Sequence, residues 1–145
     1  MVDITEKLKR LKVCLVLPTY NNAGTLAQVM DALCAYTTDI IVVNDGSTDS
    51  TSEILDAYAG RITVVSYTVN RGKGYALKQG FAEALARGFD YALTMDTDGQ
   101  HRTEDLVGFL TEAECRRGAL IEQIKILKQR HMPRGKTFGN SYSNL

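Results

Sequence analysis

Short apolar runs at 13–17, 40–43, 62–65 and 91–95, rich in Val, Ile and Leu, alternate along the chain with segments whose apolar residues recur every three or four positions. Runs this short, bounded by Pro, Asn, Asp or Gly, predict buried strands, whereas the three-to-four spacing predicts amphipathic helices. The segment 25–36 places Leu26, Val29, Met30 and Leu33 on one face, 50–58 offers Ile54, Leu55 and Tyr58, and 73–87 offers Ala76, Leu77, Phe81, Ala84 and Leu85. Gly88 stands where a glycine closes the last of these helices. Strand and helix in alternation predict an α/β fold: a mainly parallel central sheet between layers of helices, wound as in Rossmann-like three-layer sandwiches.

In such a sheet ligands gather beyond the carboxyl ends of the strands, so the residues that follow each run are the ones to compare. They are Pro18-Thr19-Tyr20-Asn21-Asn22, Asn44-Asp45-Gly46-Ser47-Thr48-Asp49, Asn70-Arg71-Gly72-Lys73-Gly74 and Asp96-Thr97-Asp98-Gly99-Gln100-His101. Each taken singly is also what a turn or a helix cap requires. Taken together they put carboxylates, cations, backbone amides and a tyrosine ring at one crevice. Asp96 and Asp98, two carboxylates one residue apart at a strand end, suit a hard divalent cation that bridges protein oxygens to a substrate's phosphates. A carboxylate after the second strand can accept from a base N–H or a ribose hydroxyl, and the Tyr20 ring can pack on the base or sugar. Such a set suits a nucleoside diphosphate carrying an activated group, whose departing diphosphate a metal would stabilise.

Composition narrows the field without adding to it. With 145 residues, 44% of them hydrophobic, the chain has the size of one domain, and 17 basic against 17 acidic side chains give a formal net charge of zero. That balance speaks against broad nucleic-acid binding. Cys14, Cys34 and Cys115 are odd in number and widely spaced, which fits packing roles in a reducing compartment and no zinc or disulfide framework. The charged first 12 residues lack a signal core, and no stretch approaches the ~20 apolar residues of a membrane span. A soluble, cytoplasmic protein is expected, or one working at the cytoplasmic face of a membrane.

In order and spacing, the four motifs resemble the family-2 glycosyltransferases of GT-A fold, and in particular the branch of dolichyl-phosphate mannosyltransferase-like enzymes, from about Val13 to Leu110. The resemblance implies a nucleotide site formed by Pro18, Thr19, Tyr20, Asn22, Val43 and Asp45, with Asp45 on the base or ribose. It implies that Asp96 and Asp98 are the catalytic pair holding Mg²⁺ or Mn²⁺, with Thr97 between them and Gln100 completing the metal's coordination. Arg71 and Lys73 match phosphate or sugar contacts, although a lysine in a first helical turn needs no ligand to explain it. Two positions depart from the pattern: Asn44 replaces the first Asp of the usual Asp-Asp-Gly-Ser, and Asn22 stands where many relatives carry Glu. For His101, which follows in the same loop, an acceptor-side role in proton transfer and a plain turn role both stand open.

Beyond Leu110 the resemblance weakens. Family members have a further strand that ends in a Gly-Ser-Arg-like motif; here Gly118-Ala119-Leu120-Ile121 begins such a strand, and Lys125 takes the place of the Arg without its planar fork. Residues 119–131 read equally as a helix with Leu120, Ile121, Ile124 and Leu127 on one face. The expected organisation is a lead-in at 1–12, a nucleotide-sugar-binding core at 13–117 and the incomplete start of an acceptor-side region at 118–145, with peripheral membrane contact through a segment further on. The implied activity is metal-dependent, inverting transfer of a sugar from a UDP- or GDP-linked donor to a polyprenyl phosphate or a saccharide. A phosphate acceptor is already ionised at neutral pH and needs no strong base. The competing readings are a non-catalytic nucleotide-sugar-binding domain and a doubly wound signalling domain whose acidic cluster binds Mg²⁺.

Overall fold

The computed structural model describes residues 3–97, Leu106, Gly108, Leu110 and the backbone of 125–128. Its elements run α1 (Ile4–Leu11), β1 (Val13–Thr19), α2 (Ala23–Cys34), β2 (Ile40–Asp45), α3 (Thr51–Asp56), β3 (Thr63–Tyr67), α4 (Lys73–Ala86), β4 (Tyr91–Thr94) and β5 (Lys125–Lys128). The sheet order is β3-β2-β1-β4-β5; the first four strands are parallel, and β5 is antiparallel to β4. This is the expected mainly parallel α/β sandwich.

The central strands read as unbroken apolar runs because both of their faces are covered. Val13, Leu15 and Leu17 of β1 share one face with Ile40 and Val42 of β2, under Leu8 of α1, Leu26, Met30 and Leu33 of α2, and Leu55 of α3. Cys14, Val16, Ile41, Val43 and Ala92 look the other way, against Ala76, Leu77, Phe81 and Ala84 of α4. Each fully buried Leu, Ile or Val on these faces contributes about 1.5–3 kcal/mol, so the two layers supply most of the stabilisation. Cys14 is packing material: burial, with Asp39 a lesser cause, pushes its thiol up to about 12.

Segment 3–11, expected only as a lead-in, is a helix with a working cap. The Asp3 carboxylate accepts from the N–H groups of Thr5 (2.9 Å) and Glu6 (3.4 Å), and Leu8 is buried against the sheet. The close of α4 bears out the glycine expectation. Gly88 adopts φ 83°, its N–H reaches the Leu85 carbonyl, and the Phe89 N–H reaches that of Ala84, a Schellman arrangement. One face assignment is corrected: Leu85 is 55% exposed, because it lies on the flank of α4 away from the Ala76–Phe81–Ala84 stripe that meets the sheet. The helical reading of 119–131 is overturned over 125–128, where the backbone pairs with β4 in the register Thr94 with Lys125 and Tyr91 with Lys128. A strand there satisfies the outer backbone groups of β4, which a helix would leave unpaired. Residues 118–124 and the boundary expected at 117/118 lie outside the described residues.

Gly80 shows how closely α4 sits on the sheet. A Cβ at this position would lie 2.4 Å from Val16 Cγ1 and 3.1 Å from Val43 Cγ2. Gly80→Ala is therefore expected to destabilise the fold by about 1–3 kcal/mol, the clash outweighing the roughly 1 kcal/mol that alanine gains over glycine within a helix. Urea unfolding of the two proteins measures the difference, and a stabilised Gly80→Ala would refute the tight α4 packing.

Candidate functional site

The sheet order reverses direction at β1, with β2 and β3 on one side and β4 on the other, so the crevice rule places a ligand beyond the carboxyl ends of β1 and β4. A cavity of about 350 Å³ opens there. β1 and its loop contribute Pro18, Thr19 and Tyr20, β2 contributes Asp45, the start of α4 contributes Gly72, Lys73 and Ala76, and Asn70 and Asp96 complete the wall. Tyr20 is half exposed, an aromatic face turned to solvent at the rim.

The loops around the cavity are bound to one another by side chains whose types looked like ligand contacts. The Asp45 carboxylate, almost fully buried, accepts from the Arg71 N–H (2.8 Å), the Gly72 N–H (2.9 Å) and Asn70 Nδ2 (3.1 Å). It anchors the entry to α4. Gly46 is required beside it: at φ 68° its Cβ would fall 2.3 Å from the Asn70 backbone nitrogen. The Tyr67 hydroxyl is buried near this carboxylate and makes no hydrogen bond among the described residues; burial first, and Asp45 after it, push its pKa up.

The two departures from the family pattern prove to be amides that use their donors. Asn44 Nδ2 donates to Ser52 Oγ (2.8 Å) while its Oδ1 accepts from the Ser47 N–H (3.2 Å). Asn22 Nδ2 donates to the Thr97 carbonyl and to Thr97 Oγ1, and Asn22 Oδ1 accepts from the Thr25 hydroxyl at 2.9 Å. The same Thr25 hydroxyl lies 2.6 Å from the Thr97 carbonyl, so its one proton is shared between the two acceptors, and Thr97 Oγ1 donates to Thr19 Oγ1 (3.1 Å). The residue between the two aspartates is thus held by α2 and β1. A glutamate at position 22, having no N–H, could not donate to that carbonyl. Asn21 joins the first two loops, accepting from the Thr48 N–H (2.7 Å). Asp49 joins the starts of α2 and α3 by accepting from Ala23 and Thr51 N–H groups, and its pKa is lowered, chiefly by the Thr51 side chain.

Of the residues singled out in the sequence, Pro18, Thr19, Tyr20, Asp45, Lys73 and Asp96 meet at the cavity. Asn22 and Thr97 stand behind it, committed to each other. The Val43 side chain is fully buried under α4, and the Arg71 guanidinium lies 5.2 Å from the Tyr75 ring centroid, so neither side chain lines it. Asp98, Gln100 and His101 lie outside the described residues. Lys125 takes its place on the backbone opposite Thr94, at the same end of β4 as Asp96. Asn70, Gly72 and Ala76 also line the cavity; Asn70 and Gly72 stood in the Asn-Arg-Gly-Lys run without a role of their own, and Ala76 had been read only as part of the apolar face of α4.

Electrostatically the cavity holds two carboxylates and an ammonium. Lys73 Nζ lies 2.5 Å from Asp96 Oδ1, with the side chains 45% and 40% exposed. No group of three or more His, Cys, Asp or Glu gathers at a metal-binding distance among the described residues. Asp96 nevertheless presents a hard oxygen that already holds a cation, so it suits an Mg²⁺- or Mn²⁺-type ion. No described helix is long and apolar enough to cross a membrane.

Known proteins resemble this chain in sequence and in fold. The undecaprenyl-phosphate mannosyltransferase of Micrococcus luteus is 33% identical over 133 residues, covering 87% of this chain and 51% of that protein. The chain spans about half the length of the curated relatives it matches. Among solved structures, glucosyl-3-phosphoglycerate synthase from Mycobacterium tuberculosis, in complex with Mn²⁺, UDP and phosphoglyceric acid, is 27% identical at a TM-score of 0.52 over 65% of this chain and 35% of its own. S. aureus TarS, in complex with UDP, superposes at a TM-score of 0.55 over 70% of this chain and 32% of its own; at 22% identity it speaks for the GT-A fold alone. The family model for glycosyl transferase family 2 matches residues 14–126, and by that match, over most of its length, the chain belongs to glycosyl transferase family 2.

Proposed function

We propose that this chain forms the donor-binding part of a metal-dependent, inverting glycosyltransferase that moves a sugar from a nucleoside diphosphate to a polyprenyl phosphate. The observation that carries the reading is the convergence of Tyr20, Asp45, Lys73 and Asp96 on one cavity at the carboxyl ends of the strands. The Tyr20 ring offers a stacking surface for the base or sugar. Asp45 acts first by fixing residues 70–72, and with them the start of α4, a helix N-terminus of the kind that suits a phosphate. Lys73 supplies a positive charge for the diphosphate. Asp96, with Asp98 and Gln100, would hold Mg²⁺ or Mn²⁺, which when bound supplies electrostatic stabilisation to the departing diphosphate.

The acceptor is argued from chemistry and kinship together. No described side chain at the cavity is placed as a general base for a sugar hydroxyl, and a polyprenyl phosphate arrives with an ionised oxygen. The M. luteus relative is named for an acceptor of this kind. A hydroxyl acceptor such as a saccharide is the second reading; the likeness to the synthase crystallised with phosphoglyceric acid, a hydroxyl compound without a lipid, favours the hydroxyl. Such an acceptor would draw its base from outside the described residues, and a lipid acceptor would bring the protein to a membrane surface.

Calorimetric titration with UDP and GDP, each with and without Mn²⁺, tests the donor site. One nucleotide should bind, and at least tenfold more tightly with the metal present. Failure of both nucleotides to bind a folded protein would refute the donor-site reading. Labelled-sugar transfer to sugar hydroxyls, and never to polyprenyl phosphate, would refute the acceptor. Binding with neither transfer nor donor hydrolysis would favour a non-catalytic nucleotide-sugar-binding domain.

A further inference from the structure

The Lys73–Asp96 ion pair is a part-exposed one at a helix start that does not favour a cation. Lys73 is the first residue of α4, where the helix dipole is positive and a cation is unfavourable, and the first turn carries no acidic residue to offset it. Gly72 before it makes no side-chain cap. Both partners are nearly half exposed, so the pair adds little to stability. What the position does achieve is delivery of an ammonium into the cavity, onto the one described carboxylate of the Asp-x-Asp motif.

Resting on the donor-site reading above, we propose that Lys73 is the resident counter-ion of Asp96 in the metal-free protein. A divalent cation must displace it, and the released ammonium then turns to the diphosphate. Two positive groups cannot share the Asp96 carboxylate without repelling each other, whereas a diphosphate beside the metal gives the displaced lysine a new partner. The exchange makes Lys73 oppose metal binding when nucleotide is absent and oppose it far less when a diphosphate takes up the ammonium. Metal and nucleotide would therefore be coupled through one side chain, and by linkage each would strengthen the other by the same factor.

The test is a Mn²⁺ titration followed by electron paramagnetic resonance, with the chain alone and with the chain saturated by whichever of UDP or GDP it binds. Wild type is compared with Lys73→Gln, Lys73→Met and Asp96→Asn, each checked for native circular dichroism. Without nucleotide, both Lys73 variants are expected to bind Mn²⁺ about three- to tenfold more tightly than wild type, the scale of losing one competing, part-exposed ion pair and one like charge. With nucleotide, the coupling factor between metal and nucleotide should shrink several-fold in both. Unchanged or weaker Mn²⁺ binding in the Lys73 variants, with the site lost in Asp96→Asn, would overturn the exchange while leaving the metal site in place. Absence of Mn²⁺ binding in wild type, with and without nucleotide, would remove the metal site itself and the exchange with it.

Discussion

Asp45→Ala is expected to lower the unfolding free energy by about 2–4 kcal/mol and to weaken nucleotide binding, because the Arg71 and Gly72 N–H groups lose their acceptor, while Asn70 Nδ2 keeps only the Asp45 main-chain carbonyl. Asp45 closes β2 and receives the Arg71 and Gly72 N–H groups and Asn70 Nδ2 on its two oxygens. A loop held by three donors on one carboxylate is sensitive to the chemistry of that acceptor as well as to its volume. Asp45→Asn has nearly the same shape but turns an NH₂ group toward N–H donors, so it should lose almost as much as the alanine variant. Urea unfolding and calorimetric nucleotide titration measure the two effects. Asp45→Asn within about 0.5 kcal/mol of wild type would show that the carboxylate's acceptors are not what holds residues 70–72.

This behaviour marks where the sequence was legible. Apolar runs and helical spacing identify faces, so β1, β2, β4 and the inner stripes of α2 and α4 were readable, and the strand-end rule then named the loops that meet. Residue type does not say which way a polar side chain is committed. Asn22 has the chemistry of a ligand contact and spends it on Thr97, and Arg71 presents its backbone N–H to Asp45 while its guanidinium rests on Tyr75. Val43 follows the inward phase of β2 into the core, as the strand period requires. Helix α1 was hidden because charge dominates its composition; the signal was local, an Asp3 cap followed by Leu8 on the buried side. The helical period at 119–131 was genuine, but the open edge of β4 is a long-range demand that no local window contains.

Asp96→Ala should show the opposite profile, with stability almost unchanged and sugar transfer reduced roughly 10²- to 10³-fold, the scale of removing one group that stabilises transition-state charge. The side chain is 40% exposed and its described ion pair is with a part-exposed lysine, a kind of pair that adds little to stability. On the proposed reading, its part would come when negative charge builds on the leaving diphosphate, which is greater in the transition state than in the bound donor. The loss should therefore fall mainly on kcat, with the donor KM moving less. Asp96→Asn keeps the shape and removes the charge, and should resemble the alanine variant in kcat. Steady-state transfer assays with labelled donor and polyprenyl phosphate, alongside thermal unfolding, separate the two aspartates: Asp45 is expected to register in the melting curve and Asp96 in turnover. An Asp96→Asn enzyme retaining more than about a tenth of wild-type kcat would refute its role at the leaving group, since even one charge-stabilising contact is ordinarily worth more than that.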